Sequence, residues 1–173
     1  MRSTRIGIAL AGCLAVATIF AWAQGVKKAG LWEVTTTQTW QKTPFPPGMP
    51  MPPAAAAMFG GAPRTTQVCY SQAWVDRFGG PLPPNRECQA TNMSVTTSGM
   101  SADWVCNGRM IGKGTIQASW PDSDHANGKV HFAGVMQGGQ GQIPVEFTID
   151  YSSVYKGADC GSVQPMPLPP ENK

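Results

Sequence analysis

A chain of 173 residues, 42% hydrophobic and 13% charged, suits one domain, and at this length folding buries about 70% of the unfolded surface. So little charge excludes a highly charged disordered chain, while 20 glycines and 16 prolines demand much turn and loop. The net charge of +3 becomes 11 basic against 10 acidic residues once Arg2 and Arg5 are set aside, which excludes an electrostatic nucleic-acid footprint.

Arg2 and Arg5 precede an uncharged apolar run, Ile6 to Ala21, and Ala21-Trp22-Ala23 supplies a small-x-small cleavage site before Gln24. The run falls short of the roughly 20 residues a membrane span needs. Residues 1–23 therefore read as an export signal, with no transmembrane segment after cleavage, and the style of the signal points to a Gram-negative periplasm. Leu10-Ala11-Gly12-Cys13 also matches a lipoprotein box, but the apolar run continues beyond Cys13, where lipidation would close it, so cleavage after Ala23 is the preferred reading.

The remainder reads as one β-rich domain over 24–161 with a proline-rich tail over 162–173. Leu31 to Trp40 alternates Trp32, Val34 and Thr36 against Glu33, Thr35 and Thr37, with the β-branched density of a strand. Lys42 to Pro63, with seven prolines and three methionines, cannot supply a ladder and reads as a long loop insertion. Arg64 to Tyr70 is a second strand. Ser71 then caps a short helix, Gln72 to Phe78, stopped by Gly79-Gly80, with Trp74 and Phe78 one turn apart and facing inward. Cys88 to Thr97 and Ala102 to Met110 form a hairpin about Thr97-Ser98-Gly99, and Lys113 to Trp120 follows with Ile116, Ala118 and Trp120 on one face. A polar turn is expected from Pro121 through Asn127-Gly128, then a strand from Lys129 to Gln137 with Val130, Phe132, Gly134 and Met136 facing one way. After Gly138-Gly139-Gln140-Gly141, the cleanest alternation runs from Ile143 to Tyr155, with Val145, Phe147, Ile149 and Tyr151 inward. These elements predict an antiparallel meander of about seven strands, as a small barrel or a sheet curled around the single helix. The tail is expected to be an extended, exposed arm.

Four cysteines remain after signal removal, and an even number in an exported chain argues for two disulfides. Three connectivities exist. The hairpin brings Cys88 to Cys106, which leaves Cys69 for Cys160. With no Cys-x-x-Cys pair and no histidine at ligand spacing from a cysteine, a zinc or redox role lacks support.

Gly30-Leu31-Trp32-Glu33 soon after the signal, Val68-Cys69-Tyr70-Ser71 opening a helix, Cys88 and Cys106 about a hairpin, and Gly157-Ala158-Asp159-Cys160-Gly161 followed by Val163 and Pro165 form an ordered set. It resembles the small exported proteobacterial family called domain of unknown function 3617, over about residues 27–165. The resemblance implies a periplasmic β-rich domain with two disulfides, no established activity and no catalytic residues to carry over. The 42–63 loop is a longer insertion than the family pattern requires.

Candidate chemistry is sparse. Asp122, Asp124 and His125 sit where two carboxylates and an imidazole can hold a divalent ion, but a solvated turn uses the same residues and is the preferred reading. His131, Glu146 and Asp150 fall on an outward face, where general acid/base work has no support. Met49, Met51 and Met58 offer soft thioethers suited to Cu(I), against the simpler reading of an adaptable apolar loop. The sequence thus favours a non-catalytic, monomeric envelope module without a cofactor, which binds a protein partner or a small apolar ligand. Copper(I) handling by the methionine loop is the alternative. Whether the inner face with Val130, Phe132, Phe147 and Ile149 closes as core or leaves a cavity separates the classes of function.

Overall fold

The computed structural model describes residues 28–45, 61–82, 87–138 and 141–169. Alternation along β-branched and aromatic runs produces seven strands: β1 (Gly30–Lys42), β2 (Arg64–Tyr70), β3 (Cys88–Val95), β4 (Gly99–Asn107), β5 (Met110–Ser119), β6 (His125–Gly138) and β7 (Gly141–Gly157). One short helix, α1 (Gln72–Phe78), follows β2. All strands pair antiparallel in one sheet of order β2-β1-β7-β6-β5-β4-β3. β3 through β7 form a meander, and β7 then pairs with β1, so the first strand lies inside the sheet and β2 and β3 are its two edges. The sheet is not a barrel. Of the two expected forms, the open sheet packed against the helix is the one found.

Every second residue faces the helix side. Trp32 and Val34 of β1, Trp104 of β4, Ile116 of β5, Val130 and Phe132 of β6, and Val145, Phe147 and Tyr151 of β7 are buried there with Trp74, Val75 and Phe78 of α1. The helix is placed by its caps. Ser71 accepts a hydrogen bond from the Trp74 amide at 3.2 Å, and Gly79 ends the helix in a left-handed conformation with its N–H on the Val75 carbonyl. Replacing Ser71 by Ala is expected to cost about 1 kcal/mol, read as a small shift in the urea midpoint with an unchanged slope.

Neighbouring backbones come close on the inner face. At Gly114 of β5 an added Cβ would lie 1.8 Å from the His131 carbonyl oxygen of β6, so no side chain fits without separating the strands. Gly128 of β6 lies opposite Tyr151, whose ring covers it. That contact corrects the expected turn. Asn127-Gly128 has turn chemistry but belongs to β6, which already begins at His125, and the turn is confined to the residues just after Trp120. The opposite holds at Asn107-Gly108, which lies inside the strand expected from Ala102 to Met110. The chain turns there at Gly108–Arg109, so β4 ends at Asn107 and β5 starts at Met110.

Both expected disulfides are present, Cys69–Cys160 and Cys88–Cys106, and Cys88 and Cys106 are direct cross-strand partners. The described part of the tail, residues 162–169, is mostly exposed but is not a free arm. Pro165 bridges in parallel to Cys69 on the outer edge of β2, the Met166 amide donates to the Cys69 carbonyl at 2.8 Å, and the Pro169 carbonyl accepts from Arg77 at 2.8 Å. The disulfide at Cys160 delivers the chain to that edge, where β2 has unpaired backbone groups to satisfy.

Candidate functional site

The inner face divides into two regions. Towards the helix, Val130 and Phe132 are fully buried and close as core. At the far end the same face opens into a cleft of about 420 Å3. Phe147 and Ile149 of β7 belong to its lining, joined by Trp40 of β1, Met110 of β5 and Met136 of β6. Met110 and Met136 are cross-strand partners, so the two thioethers lie side by side, and Trp40 packs against Phe147 with ring centroids 5.0 Å apart. Unbranched methionine and flat aromatic surfaces make an apolar lining that adapts to an occupant.

Polar residues complete the lining. Gln38 comes from β1 and Gln137 from β6. Arg64, at the start of β2, lies opposite Thr36 in the ladder, and directly paired residues share a face, so it points to the inner side. Across the cleft, Arg109 in the β4–β5 turn pairs with Glu87 at 2.8 Å. The Arg109 hydrogen bond holds the Glu87 carboxyl below the ordinary carboxylate range. This pair is neutral in sum. Arg64 has no ion-pair partner among the described residues, so it leaves the lining with one uncompensated positive charge.

The titratable residues singled out from the sequence lie elsewhere. Asp122 accepts from the amides of Asp124 and His125 at 2.7 and 2.8 Å and meets His125 Nδ1 at 2.9 Å; the Asp124 amide bond, then the His125 ring, keep its carboxyl deprotonated to lower pH. Asp124 turns instead to Lys28, with Nζ at 2.6 Å, and that contact lowers its pKa. Asp122 caps the turn and Asp124 anchors the chain before β1. His131 and Lys42 both reach Glu146, at 3.3 and 3.0 Å, and Lys42 is the larger cause of the lowered Glu146 pKa. Among the described residues no three of His, Cys, Asp and Glu gather as a metal site. Met49, Met51 and Met58 lie outside the described residues, as does the 1–23 signal.

Two buried phenols, Tyr70 and Tyr151, have their pKa raised by burial. The Tyr70 hydroxyl donates to the Leu82 carbonyl, fixing the segment after α1.

Gly30, Trp32 and the four cysteines of the ordered set have structural roles. Gly30 sits at φ 134° where β1 passes the end of β7, Trp32 is fully buried, and the four cysteines form the two bridges. The family model described as "Protein of unknown function (DUF3617)" matches residues 27–160. The chain belongs to the DUF3617 family. Its matched span runs from just before β1 to the second cysteine of the longer bridge, and so covers the sheet and α1. No curated protein and no solved structure matches the chain. Among the described residues no helix is long and apolar enough to cross a membrane.

Only part of the cleft is legible in the sequence. Phe147 and Ile149 of β7 and Met136 of β6 follow from the alternation of their strands, whereas Arg64, Glu87, Arg109 and Met110 come from three further stretches of chain that no local pattern links. Continuing the alternation Trp32, Val34, Thr36 to Gln38 and Trp40 points to a further part of the same floor.

Proposed function

We propose that this domain is a non-catalytic binding module of the cell envelope, working in the periplasm, and that it takes a small apolar ligand in the cleft lined by Trp40, Met110, Met136, Phe147 and Ile149. The cleft itself carries this reading. At about 420 Å3 it falls within the usual range for small-molecule sites, and it combines an apolar floor with a few polar groups at the margin. The two disulfides support an oxidising compartment, since such bonds persist outside the cytosol. A concave, partly enclosed surface suits a small ligand better than a protein partner, whose interface needs a broad patch of roughly 800 Å2 per side.

An apolar, environment-sensitive dye tests the reading. The protein is expected to bind one dye per chain saturably, and Met136→Lys is expected to weaken this at least about tenfold by placing a charge on the apolar floor. Because Met136 is only half-buried, its melting temperature should stay within a few degrees of the parent. Absence of saturable binding, or equal binding by Met136→Lys, would overturn the proposal.

A further inference from the structure

Resting on the cleft as the binding site, we infer that its occupant is a single-chain amphiphile with a monoanionic carboxylate head, the alkyl chain lying on the Met110–Met136 floor and the head meeting Arg64. The argument is one of charge and geometry together. Three charged side chains line the cleft, and Glu87 is taken up by Arg109. Arg64 remains, a cation on the inner face of an edge strand with no ion-pair partner among the described residues.

A guanidinium presents a planar fork of donors that matches a carboxylate in bidentate fashion. One free positive charge balances one negative charge. A phosphate monoester, carrying about −1.5 to −2, would need a second free cation that the lining does not offer. A wholly neutral hydrocarbon would leave Arg64 to solvent and make no use of its position. The methionine and aromatic floor accepts a flexible chain without demanding one shape. An acid-headed alkyl chain satisfies both ends of the cleft at once.

The probes are decanoate and decan-1-ol, which share a chain and differ in the head, titrated calorimetrically into the protein at pH 7.5 and low ionic strength. The wild type is expected to bind decanoate more tightly than the alcohol. Arg64→Gln should weaken decanoate about tenfold, the worth of a charge-assisted pair, and leave decan-1-ol unchanged. Arg64→Lys should retain part of the difference, because it keeps the charge and loses the fork. Added salt should weaken decanoate binding and spare the alcohol. If both probes bind the wild type equally, or Arg64→Gln weakens both alike, the carboxylate inference fails while the cleft stands as an apolar site. If neither probe binds, the cleft reading fails with it. Arg64 is exposed, and matching melting curves for the three proteins confirm that folding is not the variable.

Discussion

Replacing both Cys69 and Cys160 by Ala is expected to lower stability by about 4.5 kcal/mol in the loop-closure account, because the bridge spans 91 residues. It joins the edge strand β2 to the chain just beyond β7 and so fastens the two ends of a three-strand block, β2-β1-β7. It also holds the tail against β2 through Pro165 and Met166, so its loss frees that edge. Thermal denaturation of the double variant should show a fall of about 15 °C. The Cys88–Cys106 bridge closes only 18 residues between strands that already pair, and its removal should cost about 3 kcal/mol. The order of the two effects is the check. A larger loss from Cys88 and Cys106 than from Cys69 and Cys160 would contradict the assignment of the long bridge as the main staple.

The second large effect is expected at Trp32. Its side chain is fully buried, its Nε1 donates to the Lys28 carbonyl at 3.1 Å, and Tyr155 meets it edge-on with centroids 5.3 Å apart. Lys28 in turn lies 5.0 Å from the Tyr155 ring centroid and pairs with Asp124, so one indole organises the start of β1, the end of β7 and the turn before β6. Trp32→Ala should cost about 4 kcal/mol, the sum of lost burial and the cavity left behind. Trp32→Phe should recover most of it, losing chiefly the hydrogen bond and some volume. Urea denaturation of the pair distinguishes the two contributions, and a Phe variant as unstable as Ala would show that the Lys28 bond, not packing, is decisive.

How far the fold could be read depended on the range of the signal. β2 and α1 were legible to the residue, since Ser71 and Gly79 bracket the helix chemically and the β-branched run before it is short and clean. The disulfide pairing followed from one hairpin. The errors came where glycine had two meanings. Asn107-Gly108 turns the chain, whereas Asn127-Gly128 extends it because the Tyr151 ring occupies the space beside Gly128. Local chemistry cannot separate these; only the cross-strand partner does. The choice between barrel and open sheet was equally non-local, since it depends on whether β2 and β3 meet, and the tail lies along β2 instead. The cleft is the least local feature, assembled from side chains between residues 38 and 149.

The pairing of β1 with β7 has a consequence for how this protein is made. Leu31 lies opposite Gly157 and Trp40 opposite Phe147, so the first strand finds one of its two neighbours only among the last residues of the domain. A chain delivered N-terminus first, whether from a ribosome or through a translocation channel, therefore holds β1 and β2 as an unfinished two-stranded ribbon, marginal in water by itself. The sheet becomes whole in one late step, when the C-terminal strand arrives and Cys160 comes within reach of Cys69. Until that moment β1 and β2 lack their inner neighbour, and the stability of the β2-β1-β7 block appears only where synthesis or transport ends.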